Sequence, residues 1–531
     1  MKHYKTLLML FFAAAVFVAC EETLELEVEG QGLTAGEVLN DPASYTAIFA
    51  KTYAGLHVGG QEGGDGNSDI SGIDGGFSNY LRLYWNMQEL PTDEAIIAWN
   101  DGTIKDFQRH TWNDGNEFIR GMYSRISYQI ALTNDFLRLA TDDNLNSNGI
   151  SEANREEILA FRDEVRFLRA YSYYHALDLF GAIGFQDETT DPTIGGNRLA
   201  GEELFDFIES ELLAIEGSIA PARTNMYGRA DQATVWMLLS KLYLNSEIYT
   251  GNARYDEVIT YTERVINAGY SINTSAPYGN LFLADNDSNG SQNEFIWTLN
   301  FDGQRTQTFG GTTYLTHAPV GGDMDPSSFG INGGWFGLRT TPEFVELFEG
   351  EENSADGREQ FFADNQNKGI ADESSFTDGF AIAKFKNIDV NGNQGSDATG
   401  DFVDIDFPVF RLADAYLMYA EATLRGGGGD ISAATSYVNI LRERAHNGNF
   451  ANITESDLTL DFILDERGRE LHWEAHRRQD LIRFNNFTNN GRWAWKGNVQ
   501  SGTTTPAFRN LYSIPAQQIN LNPNLSQNPG Y

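Results

Sequence analysis

Apolar residues recur at helical spacing over several long blocks of the chain, and this pattern predicts a mainly α-helical fold. In the first half of the chain the blocks lie at 117–140, 151–181, 202–215, 231–249 and 255–267. Further blocks follow at 412–424, 431–446 and 460–487. Ser151 is placed to cap the second block, and Gly269 is placed to end the fifth.

The block at 231–249 carries a repeat signature. Trp236, Leu239, Ser240 and Tyr243 follow the W-x2-L-G-x2-Y spacing of a tetratricopeptide helix, with serine in the small-residue position. Helical pairs of this kind stack and bury one continuous seam, since a single pair is marginal alone. We therefore predict tetratricopeptide-like helical pairs.

Between 270 and 408 the composition shifts towards Gly, Asn, Asp and Thr, with short strand-like runs. We interpret this segment as a loop-rich insertion with small β-sheets, and we expect it to carry function. The body of the chain is long, which predicts two packed subregions or one elongated solenoid. We place the boundary between regions 41–269 and 270–531.

The N-terminus reads as an export signal. Lys2 and Lys5 precede an apolar run at 7–18 that is too short to span a bilayer. Ala19 then precedes Cys20, the single cysteine of the chain, as in a bacterial lipobox. We predict a signal peptide at 1–19 and an acidic tether at 20–40 that begins at a lipidated Cys20. The alternative is an ordinary cleaved signal with an incidental cysteine.

Charge restricts the partners. The chain has 75 acidic and 37 basic residues, for a net charge of −38. This field repels nucleic acid and anionic membrane surfaces, and it disfavours polyanionic glycans. A neutral ligand fits better.

The segment at 74–101 holds Asp74, Arg82, Trp85 and Trp99, with Pro91 inside it. It is too interrupted for one helix and too aromatic for an ordinary loop. Indole faces stack on the C–H face of a sugar ring, while guanidinium and carboxylate groups hydrogen-bond its hydroxyls. A carbohydrate site is one interpretation. The other is a set of ordinary core and surface residues.

Four motifs resemble the SusD/RagB family of outer-membrane nutrient-binding lipoproteins. They are RFLRAYSYYHALDLFG, FPVFRLADAYLMYAEA, ILDERGRELHWEAHRRQDLIRF and the terminal YSIPAQQINLNPNLSQNPGY. The resemblance implies a SusD-like fold of tetratricopeptide-like pairs, cell-surface capture of starch or malto-oligosaccharides, and a SusC-like TonB-dependent transporter as partner.

The starch-binding member of that family implies a set of contacts in this chain. They fall on Asp74, Arg82, Trp99, Phe309 and Trp335. A tyrosine of that member is replaced by Phe309, so a stacking face is kept and a hydroxyl is lost. An asparagine of that member aligns with Gly102, so Asn100 or Asp101 is expected to supply its hydrogen bonds.

A structural calcium ion is a further expectation, and no other cofactor is required. Asp285 opens a D-x-D-x-N-G run, but position twelve of this loop is Ile296 in place of the glutamate of an EF-hand. The resemblance implies calcium ligands at Asp287, Asp404 and Asp406, with Asn293 or Glu294 nearby. The alternative is a solvated acidic loop.

Enzyme signatures are weak. His472 and His476 have the spacing of a zinc-binding pair, but Glu474 would lie on the opposite side of a helix, so we interpret them as a structural helix face. Neither a G-x-S-x-G elbow nor a phosphate-binding loop occurs in the sequence. We predict a binding protein and not an enzyme. The alternatives are the same role for another neutral glycan, a tetratricopeptide interaction scaffold, and a glycoside hydrolase.

Overall fold

The computed structural model of the chain describes residues 38–64, 66–348, 356–448 and 452–531. The predicted signal peptide, the lipidation site Cys20 and the tether up to residue 37 lie outside the described residues. Among the helices of those ranges, none is both long and apolar enough to cross a membrane.

Helices dominate the first half of the chain and coincide with the predicted blocks. Additional helices lie before the first block and within the broken 74–101 segment. In order they are α1 Pro42–His57, α2 Tyr80–Glu89, α3 Asp106–Arg109, α4 Glu117–Leu139, α5 Asp142–Ser147, α6 Glu152–Phe180, α7 Gly201–Ile215, α8 Gln232–Leu244, α9 Ser246–Thr250 and α10 Tyr255–Ile266.

Local caps explain where several of these helices begin and end. The Asn116 side chain accepts the N–H groups of Phe118 and Ile119 at the start of α4. Asp231 forms a capping box with Thr234 at the start of α8. Ser151 is the N-cap of α6, as predicted, although its side chain makes no capping hydrogen bond.

The second half of the chain contains the insertion and a second helical group. The helices are α11 Gly311–His317, α12 Pro342–Val345, α13 Leu412–Leu424, α14 Ile431–Ala445, α15 Leu460–Leu471, α16 Arg477–Arg483 and α17 Ala516–Leu521. The strands pair into antiparallel two-stranded sheets: β1 Ile96–Ile97 with β5 Leu338–Arg339, β2 Ala182–Gly184 with β3 Arg198–Ala200, β4 Phe295–Leu299 with β8 Phe407–Arg411, and β6 Phe361–Phe362 with β7 Ala381–Ile382.

The long helices pack in series, which confirms the mainly α-helical fold with small sheets. Helix α4 packs on α6 and α6 on α7, while α8 packs on α10, α10 on α13 and α13 on α14. One hydrophobic cluster extends from Leu56 to Leu525 and includes residues of both regions. The boundary at residue 270 is therefore a change in composition and not a gap in the core.

The structure corrects two predicted helices. The block at 231–249 is divided at Asn245, whose side chain donates to the Lys241 carbonyl at 3.0 Å and accepts from Arg483 at 3.0 Å. The block at 460–487 is divided between α15 and α16, so His472 and His476 do not form a helix face.

Buried carboxylates replace the helical hydrogen bonds at this second break. Trp473 and Ala475 have positive φ values of 61° and 65°. The Trp473 N–H donates to Glu94 at 2.8 Å, and the His476 N–H donates to Glu89 at 3.0 Å. The backbone groups that leave the helix are therefore satisfied by a segment far away in the sequence.

Candidate functional site

Four half-buried rings lie in a row, which we call the aromatic shelf: Trp99, Trp335, Phe309 and Phe402. The ring centroids of Trp99 and Trp335 are 6.4 Å apart, with the planes inclined by 44°. Trp335 and Phe309 follow at 6.1 Å and 66°, and Phe309 and Phe402 at 5.2 Å and 32°. The ring planes therefore turn from one ring to the next, and the shelf is not flat.

The β1–β5 sheet brings Trp99 and Trp335 together. Ile97 pairs with Leu338, and the Ala98 N–H donates to the Gly337 carbonyl at 2.8 Å. The Trp99 indole N–H donates to the Trp335 carbonyl at 2.8 Å, which fixes the orientation of the ring. One hydrogen bond, from the side chain of Trp99 to the backbone of Trp335, thus joins residues 236 positions apart.

His317 supports Trp335 from one face. The imidazole stacks on the indole with a centroid distance of 4.8 Å and an interplanar angle of 22°. The backbone N–H of Trp335 donates to the His317 carbonyl at 2.9 Å, and His317 Nδ1 lies 2.7 Å from the Gly333 carbonyl. Burial lowers the pKa of His317, so the supporting ring is neutral at physiological pH.

Arg82 lies behind the shelf and is only 5% exposed. Its guanidinium donates to the carbonyls of Gly76 at 3.1 Å and Phe309 at 2.8 Å. The guanidinium carbon is 4.4 Å from the ring centroid of Tyr314 and 5.9 Å from that of Trp99. Arg82, which is a predicted ligand contact, therefore holds the backbone of Phe309 by a hydrogen bond and packs near the Trp99 ring.

The other predicted polar contacts lie at the surface. Asp74 is exposed, and one of its carboxylate oxygens accepts the Gly76 N–H at 2.9 Å. Asn100 and Asp101 are exposed directly after Trp99. Gly102 has a φ of 45°, and a Cβ there would lie 1.5 Å from the Glu117 carboxylate. The positive φ favours glycine at this position.

Sequence reasoning missed Phe402, Tyr314 and His317. Phe402 extends the shelf, while Tyr314 and His317 lie beneath its indoles. No spacing rule connects these residues to Trp99, because they approach it only through the fold. The only signal in the sequence was an aromatic residue, Phe402, in a segment rich in Gly and Asp.

Three of the predicted calcium ligands, Asp287, Asp404 and Asp406, lie close enough for their carboxylates to interact. Burial, together with the neighbouring carboxylates of Asp287 and Asp404, raises the pKa of Asp406 to about 7. Asp404 already accepts from the N–H of Gly303 at 2.8 Å. Within the described ranges, no group of three or more His, Cys, Asp or Glu side chains is arranged to hold a metal ion. Calcium binding at these carboxylates stays a prediction.

The remaining predicted ligands, Asn293 and Glu294, have other partners. Glu294 is buried and paired with Arg411 at 2.9 Å and with Arg444, so its carboxylate is committed to two guanidinium groups. Asn293 is exposed and donates to the Gly290 carbonyl at 3.1 Å.

The histidine pair is structural. His472 and His476 are buried, and burial lowers the pKa of both side chains. His476 Nδ1 lies 3.0 Å from Lys241 Nζ, a cation that excludes a metal ion from that nitrogen.

Comparisons with known proteins agree with this architecture. The SusD family model matches residues 354–531. The starch-binding protein SusD of Bacteroides thetaiotaomicron is 35% identical over 531 aligned positions, which cover 91% of this chain and 92% of that protein.

Solved structures have the same fold. A SusD superfamily protein from Bacteroides thetaiotaomicron superposes with a TM-score of 0.70 at 18% identity, covering 92% of this chain and 99% of that chain. Surface glycan-binding protein A from the same organism, in complex with laminarihexaose, gives a TM-score of 0.68 at 19% identity, with the same coverage. This chain belongs to the SusD family.

Proposed function

We propose that this protein binds starch-derived α-glucans, such as malto-oligosaccharides, on the aromatic shelf. The observation that carries the proposal is the convergence of Trp99, Trp335, Phe309 and Phe402 into a row whose ring planes turn by 32° to 66° at each step. The 35% identical relative that is named as a starch-binding protein supports the same ligand class.

The shape of the shelf favours a coiled ligand. Amylose is a preformed helix, so it can contact several inclined rings without being straightened, and little conformational entropy is lost on binding. A flat ribbon-like glycan would meet one ring plane at a time. Each stacked ring contributes roughly 1 kcal/mol beyond its buried area, so short oligosaccharides should bind with micromolar or weaker affinity.

Polar groups beside the shelf would set orientation. Asn100 and Asp101 are exposed directly after Trp99, and Asp74 is exposed near Gly76, whose carbonyl accepts from Arg82. These groups offer acceptors and an amide to sugar hydroxyls. Individual hydrogen bonds add little net affinity in water, so these groups select a glycan more than they hold it.

We also propose a place for this binding. The protein would be anchored through Cys20 on the outer-membrane surface and would deliver bound glycan to a SusC-like TonB-dependent transporter. Family membership and the lipobox-like sequence at 19–20 support this role. Co-purification of the membrane-extracted protein with a TonB-dependent transporter would support it, and purification without such a partner would contradict it.

The first test is retention of the protein in a native gel cast with amylopectin, combined with calorimetry against maltoheptaose. We expect Trp99→Ala to abolish retention and to weaken maltoheptaose binding about fivefold or more, because a stacking face is lost. Trp236→Ala, which removes a half-buried indole far from the shelf in sequence, is the matched control and should bind normally.

The same experiment distinguishes the other functions. Calorimetry against laminarin, levan and xylan oligosaccharides tests whether a different neutral glycan is preferred. Release of reducing sugar from amylopectin would indicate a hydrolase and overturn the binding role. An absence of any glycan binding, with capture of a peptide partner, would favour a tetratricopeptide scaffold.

A further inference from the structure

A second concave site lies among residues that contribute nothing to the aromatic shelf. It is a cavity of about 400 Å³ that we call the α6–C-terminal cavity. Its apolar walls come from the end of α6, from α9, from α16 and from the segment at 507–511; they include Leu177, Ile248, Tyr249, Ile482, Phe508 and Leu511. This volume is within the range of about 300–1,000 Å³ that ligand pockets occupy.

An unsatisfied donor belongs to this cavity. Gln479 lines it and is 3% exposed, and its Oε1 accepts the Tyr174 hydroxyl at 3.2 Å. Its Nε2 has no hydrogen-bond partner within the part of the chain that the structure describes. A buried amide N–H without an acceptor is destabilising, and an acceptor on a bound molecule would remove that penalty.

The charged group in the wall is already neutralised. Asp178 accepts from Arg478 at 3.0 Å, from Gln88 at 2.7 Å and from the Tyr249 hydroxyl at 3.0 Å. Its carboxylate therefore offers no unpaired charge to a ligand. The net charge of −38 also disfavours an anion such as a fatty acid carboxylate.

We propose that the α6–C-terminal cavity binds a small, neutral and mostly apolar molecule that carries one hydrogen-bond acceptor. The apolar body fills the space between Leu177, Ile482 and Phe508, and the acceptor meets the amide of Gln479. A sugar is disfavoured because a saccharide ring needs several polar partners, whereas the walls are mainly hydrocarbon. This site is independent of the glycan proposal.

The test uses Nile red, a neutral apolar dye with a carbonyl acceptor, titrated into the full-length protein and followed by fluorescence. We expect saturable binding of one dye per chain. Ile248→Trp should weaken the binding about tenfold or more, because Ile248 is 47% exposed and lines the cavity, so a larger ring there fills it. Gln479→Leu should weaken it about threefold or more by removing the donor.

Leu213→Trp is the matched control, since Leu213 is 43% exposed on α7 and does not line the cavity. It should bind the dye like the wild type. Ala507→Trp, from another part of the cavity lining, provides a second blocking variant if Ile248→Trp alters the circular dichroism spectrum. Both blocking variants should keep their affinity for maltoheptaose.

Three results would overturn the proposal. The first is an absence of saturable dye binding by the wild type. The second is equal affinity in the folded Ile248→Trp and Ala507→Trp variants. The third is displacement of the dye by maltoheptaose, which would place the dye on the aromatic shelf.

Discussion

At the scale of single residues, Gly337 sets how closely the chain approaches the Trp99 indole. A Cβ at this position would lie 2.4 Å from two ring carbons of Trp99. We therefore expect Gly337→Ala to displace the indole and to weaken maltoheptaose binding about fivefold or more, as the loss of one stacked ring does. Calorimetry measures the change, and near-ultraviolet circular dichroism reports the displaced ring.

Gly333→Ala is the control for this prediction. Gly333 lies in the same loop, and a Cβ there would meet no described atom within 4 Å. Equal affinities for Gly337→Ala and Gly333→Ala would show that the position of the Trp99 indole does not matter for binding.

A second residue-scale prediction concerns Asp406, which is buried and whose pKa is raised to about 7. A carboxyl with a raised folded-state pKa stabilises the fold at low pH, and that stability is lost as the pH rises from about 4 through 7. We expect Asp406→Asn to unfold at a higher temperature than the wild type at pH 8 in the presence of EDTA. Both proteins should match at pH 4.

The effect of calcium on the unfolding temperature provides a second test at Asp406. Binding of calcium by the native state would raise the unfolding temperature of the wild type at pH 8 and not that of Asp406→Asn. Identical unfolding temperatures of the wild type in calcium and in EDTA would contradict the predicted calcium site.

The residues of the shelf show what sequence alone could provide. Only family resemblance places Trp99 and Trp335 in one site, because no spacing rule connects positions this far apart. The resemblance also predicts Arg82 as a ligand contact, and the structure buries it against two carbonyl groups. Residue type therefore suggested the chemistry, while burial, which depends on tertiary packing, was not accessible from the sequence.

At the scale of elements, periodicity predicted α4, α6 and α10 closely, because each carries its own apolar stripe. Periodicity failed at the break between α15 and α16. The sequence there is compatible with a continuous helix, but Glu89 and Glu94 accept the N–H groups of His476 and Trp473. Such a tertiary contact leaves no local trace.

The buried carboxyl groups of Glu89 and Glu94 at this break should make the stability of the fold depend on pH. Burial raises the pKa of Glu89 from 4.5 to about 7, and burial and Glu89 together raise that of Glu94. Arg477 opposes this shift, while Asp93 adds to it at Glu94. A raised folded-state pKa stabilises the fold below about pH 4.5, and the stability is lost as the pH rises through 7.

Glu89→Gln should therefore gain stability relative to the wild type as the pH rises from 5 to 8. One pKa unit corresponds to about 1.4 kcal/mol, so the relative gain is on the order of a few kcal/mol. Urea unfolding at each pH measures it, with the exposed Glu455→Gln as control. If the difference in unfolding free energy between Glu89→Gln and the wild type is constant across this pH range, the pKa of Glu89 is not raised and the prediction is wrong.

At the scale of the whole molecule, the net charge and the neutral ligand together predict how the glycan affinity depends on salt concentration. The chain carries a net charge of −38, and the shelf rings are uncharged. Salt screens interactions between charges over about 10 Å at 0.1 M, so it affects a charged ligand strongly and a neutral one little. We expect the maltoheptaose affinity to change less than about twofold between roughly 50 and 500 mM NaCl.

Dextran sulfate provides the contrasting ligand in this experiment. Its charge has the same sign as that of the protein, so it should not bind at low salt, where repulsion is least screened. Neutral dextran is the matched control for chain length. A maltoheptaose affinity that falls steeply with salt, or retention of the protein by dextran sulfate at low salt, would show that charged groups and not the turning row of rings hold the ligand.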